Sequence, residues 1–221
     1  MRVLTWNVRA LRDDAAGAAG AGGVARVLRE AAPDIVLVQE SPHLWRWRSA
    51  CARLARQADL VVVTGGRPAV GNLILCSLRV GVETAYDVRL PKRRSLPPRG
   101  AAMAVLSVDG RRLGVLGTHL DLDPAARKAS AGRVRAAAPL GVPLLIGADV
   151  NEEPGGPAWR ALSDGLADVG DGLPPTFSVT SPRRRIDGLF AGPELRVVSR
   201  EVLEIGPVSD HKPVLAELAW A

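Results

Sequence analysis

The chain is built from short apolar runs, each closed by a turn residue or a polar one. The runs are Val3–Trp6, Ile35–Val38, Leu60–Val63, Leu73–Cys76, Ala101–Val108, Leu113–Gly117, Pro143–Ile146, Ile186–Phe190, Leu195–Val202 and Val214–Leu218. Rich in Val and Leu and short for buried helices, they read as β-strands, several of them buried on both faces. Asp109–Gly110, between two of them, is a hairpin turn signal. Helical periodicity fills other intervals. Over Gly22–Ala32 it puts Val24, Val27, Leu28 and Ala31 on one face; over His43–Gln57 it does the same for Leu44, Trp47, Cys51 and Leu54. Asp123 and Pro124 supply the N-cap and first residue of a further helix, to about Ala138. So many strands exceed one small sheet, and two packed sheets flanked by helices would bury them. The low-complexity stretch Ala15–Gly23 reads as a flexible loop, and Arg89–Gly100 as a basic, Pro-rich one. Neither separates two apolar patterns, so residues 1–221 are expected to form one domain.

A globule of 221 residues can bury about 70% of its extended surface, enough for a core without staples. With 47% apolar and 24% charged residues the chain is not disordered. No run is long enough to span a membrane, and MRVLTWNVRALRDD has no secretory h-region, which leads to the expectation of a cytoplasmic protein. Two cysteines without a CxxC pair and three histidines argue against a zinc cluster. A metal site here would use oxygen ligands, hence magnesium, manganese or calcium. The net charge of +6 suits a polyanion partner, although arginine far outnumbers lysine and compositional bias explains the excess nearly as well.

The functional signal lies in the polar residues that close the runs. VLTW leads into Asn7, IVLVQ into Glu40, LGVLGT into His119, PLLIGA into Asp149 with Asn151 two residues on, RRI into Asp187, and GPVS into Asp210 and His211. Asn and Asp are poor strand residues, an unpaired buried carboxylate is costly, and strand ends are where α/β sheets gather ligands. If the ends converge, carboxylates, amides and imidazoles form a pocket able to hold a hard cation and hydrolyse a phosphoester. Each residue alone has an ordinary reading. Asn7 could end a strand, Glu40 could belong to a surface turn before Ser41–Pro42, and His119 could be a satisfied core histidine. Asp149 and Asn151 could form a turn, Asp187 could pair with Arg183, Arg184 or Arg185, and Asp210–His211 could be a plain loop. The whole set is hard to explain that way.

These segments, in this order, resemble the endonuclease/exonuclease/phosphatase superfamily over nearly the whole chain: TWNVR, DIVLVQE, the weaker GNLILCS with Asn72, THLD, GADVNEEP, RRIDGLF and VSDHKPV. The resemblance implies a four-layer α/β/β/α sandwich of two mixed β-sheets and Mg-dependent phosphoester hydrolysis. It implies Glu40 as principal metal ligand supported by Asn7, with Asp210 a ligand or its neighbour. Asp149 would orient or deprotonate the attacking water, Asn151 would help place it, and His211, held by Asp187, would contact the phosphoryl oxygens. His119 would be a second phosphate-binding histidine, and Asn72 and Arg99, the latter in PPRGAAMAV, would lie at the substrate phosphate. Ala148 intervenes where the family often has Gly directly before Asp, and the tyrosine of abasic-site endonucleases has no counterpart, Tyr86 being the only tyrosine.

Three functions compete. A nuclease on DNA or RNA is favoured by the charge and by Lys92, Arg93, Arg94 and Arg183–Arg185, which could track a backbone, and disfavoured by few aromatics for stacking. A hydrolase of small-molecule or lipid-headgroup phosphoesters suits the short loops. A non-catalytic nucleic-acid-binding protein would not need the full polar set.

Overall fold

The structure is a computed structural model in which residues 1–11, 20–91 and 96–221 are described. Lys92, Arg93 and Arg94 lie outside the described residues, as does most of the low-complexity stretch, of which only Gly20–Gly23 is described, as the first turn of a helix. In chain order the elements are β1 (Arg2–Asn7), a 3-10 turn (Arg9–Leu11), α1 (Gly20–Ala31), β2 (Ile35–Gln39), α2 (Trp47–Gln57), β3 (Val61–Gly65), β4 (Leu73–Cys76), β5 (Gly81–Arg89), β6 (Gly100–Val108), β7 (Arg111–His119), α3 (Pro124–Ala136), β8 (Leu144–Asp149), α4 (Pro157–Ser163), β9 (Ala167–Asp168), β10 (Asp187–Ala191), β11 (Leu195–Val202) and β12 (Val214–Trp220).

Two six-stranded sheets form, in the orders β11-β12-β1-β2-β4-β3 and β5-β6-β7-β8-β10-β9. Each has one parallel pair, β1 with β2 and β7 with β8, and is otherwise antiparallel. The parallel pairs are joined across α1 and α3, because a parallel connection needs a crossover. Val3, Ile35, Leu37, Ala104, Leu113, Val115, Leu145 and Leu189 pack between the sheets. Leu4, Trp6, Val36 and Val38 face Val24, Leu28, Cys51 and Leu54 of α1 and α2. Met103, Leu116, Ile146 and Phe190 face Val134 of α3 and Trp159 and Leu162 of α4. The layers are α/β/β/α, as the resemblance implied.

Asp109 and Gly110, both at positive φ (53° and 76°), make the turn joining β6 to β7. Asp123 caps α3, its carboxylate accepting from Ala126 N–H at 2.8 Å. α2 begins four residues later than the periodicity suggests. Arg46 adopts a left-handed φ of 57°, which ends the run before Trp47, so Leu44 and Trp45 stand 74% and 87% exposed. β5, β9 and α4 have no counterpart in the apolar runs. No helix among the described residues is long and apolar enough to cross a membrane.

Candidate active site

Topology decides where the polar residues meet. Asn7, His119 and Asp149 end β1, β7 and β8, and Glu40 comes directly after β2, so the two parallel pairs end on one side of the molecule. β10 runs antiparallel to β8, which sets Asp187 beside Asp149, and the β7–β8 register sets His119 on its other side. β12 runs antiparallel to β1, which brings the preceding Asp210–His211 to the same end. The sheets close on one another there because Gly147 has no side chain. A Cβ at that position would lie 2.6 Å from Leu37 Cδ1 and 2.8 Å from Thr5 Oγ1. Ala148, next along the strand, faces the α3/α4 layer.

Asp149 Oδ2 is the meeting point. Asn7 Nδ2 donates to it at 2.8 Å, His119 Nε2 lies at 3.3 Å and His211 Nε2 at 3.7 Å. Its other oxygen accepts from Asn151 N–H at 3.0 Å. Burial raises the Asp149 pKa, but the two imidazoles, the Asn7 amide and the Asn151 N–H outweigh it and hold the carboxyl below the usual range. His211 Nδ1 lies 2.9 and 3.1 Å from the Asp187 oxygens. Burial alone would lower the His211 pKa; the Asp187 and Asp149 carboxylates reverse this and push it up to about 10. Asp187 is itself pushed up by burial, against the pull of the imidazolium. With Nδ1 this close to both oxygens, the pair is read as carboxylate and imidazolium at neutral pH.

His119 behaves oppositely. Burial is the main cause of a lowered pKa, assisted by the Arg99 guanidinium and His211, against the pull of Asp149 and Glu40. The Asn151 amide donates to Leu120 O at 3.0 Å, which fixes its orientation and aims Nδ2 at His119 Nε2, also at 3.0 Å. The same Nε2 lies 3.3 Å from Asp149 Oδ2, and Nδ1 lies 3.8 Å from Glu40 Oε1. Glu40 and Asn151 both sit at left-handed φ, 51° and 56°, a conformation that Asn tolerates and that is uncommon for Glu. The Glu40 side chain is 39% exposed and receives one weak contact, Asn7 Nδ2 at 3.4 Å. Asp210 is half-exposed, 3.7 Å from Arg9 Nε.

Arg99 is nearby, its Nε donating to buried Asp121 at 3.2 Å, and Asp121 also accepts from Ser130 Oγ. Asn72 is buried differently from the expectation. Its amide hydrogens go to Ala69 O at 2.8 Å and Gly100 O at 3.0 Å, leaving none for a phosphate. Arg185 likewise leaves the basic track. It is buried in a two-point pair with Asp168, at 3.1 and 2.7 Å, beneath the face of Trp159, whereas Arg183 and Arg184 are exposed. Sequence reasoning missed Asp121, whose position two after His119 in THLD was a usable signal. It also missed Phe177, whose ring centre lies 4.7 Å from that of His211 and which stands in no recognisable pattern, and Ser209, which donates to Asn7 O at 2.7 Å and stands within VSDHKPV.

A hard cation fits this donor set. Glu40, Asp149, Asp187 and Asp210 bring several carboxylates to one strand-end cluster, and a buried one needs compensation. Donor atoms of Asp149, Asp187 and His211 also lie within 4.8 Å of one another. Asp187 and His211 are already paired to each other, whereas Glu40 accepts only a long hydrogen bond from Asn7.

The model of the Endonuclease/Exonuclease/phosphatase family matches residues 4–211. A search of curated proteins finds no match. Among solved structures, a family protein from Bacteroides thetaiotaomicron superposes with a TM-score of 0.84 at 18% identity, covering 100% of this chain and 95% of that one. A mannosyl-6-phosphatase from the same organism gives 0.82 at 20% identity, with 100% of both chains covered. TDP2 from D. rerio, complexed with a single-strand DNA product, gives 0.78 at 18% identity, covering 99% and 98%.

Proposed function

The chain belongs to the endonuclease/exonuclease/phosphatase family, and from that premise we propose that it is a divalent-metal-dependent phosphoester hydrolase acting on the phosphodiester backbone of nucleic acid. The observation that carries the reading is the convergence on Asp149 Oδ2 of an amide and two imidazoles from three other strand ends or their flanking loops.

Glu40 would hold the ion, with Asn7 and Asp210 in support. Magnesium, manganese or calcium held there would supply charge neutralisation at the phosphate and a more acidic water. His211, protonated and oriented by Asp187, donates from Nε2 to a non-bridging phosphoryl oxygen as charge builds on it. Asp149 and Asn151 orient the attacking water in line with the leaving oxygen, and Asp149 accepts its hydrogen bond. His119, held by Asn151 between Asp149 and Glu40, serves as the second histidine at the substrate phosphate. Arg99, steadied by Asp121, meets a phosphate oxygen, and Asn72 acts behind it by holding Gly100.

The +6 charge and the likeness in fold to a DNA-product complex support nucleic acid as substrate. The end-to-end likeness to a mannosyl-6-phosphatase supports a second reading, a small phosphoester. Purified protein with Mg2+ is to be assayed on plasmid DNA and single-stranded oligonucleotides beside a panel of phosphomonoesters and diesters. Cleavage of nucleic acid that fades steeply between about 50 and 200 mM salt is the expected result. Turnover confined to small phosphomonoesters gives the second reading, and no chelator-sensitive turnover on any substrate rejects both.

A further inference from the structure

We propose that the outward side of α2 and the loop before it form a second binding surface that grips a single-stranded segment of nucleic acid beside the catalytic site. The proposal rests on the nucleic-acid reading above and names a part of the molecule that reading does not use.

Trp45 is 87% exposed, the most exposed large apolar residue other than Leu78 among the described residues. The guanidinium of Arg46 stands 5.3 Å from its ring centre. α2 (WRSACARLARQ) has no acidic residue, and its solvent side carries Arg48, Arg53 and Arg56. A groove of about 570 Å³ lies there, lined by Trp45, Arg46, Ser49, Ala52, Arg53 and Arg56. Some arginines elsewhere pair with carboxylates, as in Arg26–Glu30, Arg79–Asp34, Arg112–Glu83 and Arg127–Glu152. Among the described residues, Arg46, Arg48, Arg53 and Arg56 form no such pair.

An open aromatic face beside unpaired cations is the chemistry of single-strand binding, in which a base stacks on the ring and the arginines meet phosphates. Arg46 and Arg53 are seven positions apart, about 10 Å along the helix. A stacked strand rises about 3.4 Å per nucleotide, so this row matches about three phosphates. Trp45 lies five residues beyond Glu40, so the start of this surface is at most about 18 Å of chain from the catalytic site. The arginines, not Leu44, line the groove, which favours a polyanion strand over a lipid surface.

Binding of a fluorescein-labelled single-stranded oligonucleotide is to be followed by anisotropy in EDTA, so that nothing is cleaved. Trp45→Ala should weaken it about 10-fold, within the range for losing one base–aromatic stack. The double variant Arg53→Glu/Arg56→Glu should flatten the dependence of log affinity on log salt by about 1.4 or more. Both variants should melt at the wild-type temperature, because the altered side chains are exposed. Wild-type protein that does not bind, or variants that bind within twofold of it, would overturn the proposal. So would loss of melting temperature in step with affinity, or a Trp45→Ala defect seen only on phosphatidylserine vesicles. Tight, Trp45-dependent binding without cleavage in Mg2+ would reject nucleic-acid hydrolysis and leave the surface standing. Cleavage by variants that bind normally would do the reverse.

Discussion

The Asp187–His211 pair makes a measurable demand on the histidine's proton. His211 is pushed from 6.5 up to about 10. At about 1.36 kcal/mol per pH unit that gap corresponds to roughly 5 kcal/mol favouring the imidazolium in the folded chain. Burial disfavours the Asp187 carboxylate and takes part of this back, and removing one partner of a buried pair usually costs about 3–5 kcal/mol. The folded pKa is raised, so the stabilisation is whole below pH 6.5 and is lost as pH climbs through about 10. Asp187→Asn keeps an acceptor for Nδ1–H and removes the charge. We predict that it drops the His211 pKa toward neutrality and flattens the decline of unfolding free energy between about pH 6.5 and 10. The chain has three histidines, so Cε1–H resonances are separable by NMR in the presence of chelator and assignable by single substitutions. A wild-type His211 that titrates near 6.5, or one whose pKa is unmoved in Asp187→Asn, would refute the charge-pair reading.

Glu40→Ala, Asp149→Ala and His211→Ala should each lower turnover at least about 100-fold, and chelation should abolish it. Near-native turnover in His211→Ala removes that residue from the mechanism. Arg185→Ala should cost about 3 kcal/mol in urea unfolding while leaving nucleic-acid affinity unchanged, since its guanidinium is buried against Asp168. The opposite pattern restores it to a substrate track. Gly147→Ala should destabilise by about 1–3 kcal/mol and depress turnover, because its methyl would drive Leu37 and Thr5 from the sheet ends that set the site; a variant as stable as wild type contradicts that packing.

The legible and the hidden parts of this sequence share one origin, the alternation of side chains. Asn7, Glu40, His119, Asp149, Asp187 and His211 stand out because polar residues at the ends of apolar runs have few stable uses. β5 has no such mark. It is an edge strand whose residues Gly81 to Tyr86 face solvent, so its pattern is that of a loop. α4 is seven residues long, too short to display a period. Leu44 falls at helical spacing from Trp47, yet Arg46 turns the chain out of the helix, and periodicity has no term for backbone sign. Arg185 and Asn72 show the complementary failure: composition reveals a cation or an amide, but not that its partner waits at Asp168, or at Ala69 and Gly100. The displaced glycine of Gly147-Ala148-Asp149 ties local pattern to tertiary packing. With a period of two, position 147 faces the opposing sheet and 148 faces the helices. The closest approach of the sheets, and with it the spacing of Asp149 from Asn7, depends on 147 having no side chain, while 148 is free to carry a methyl.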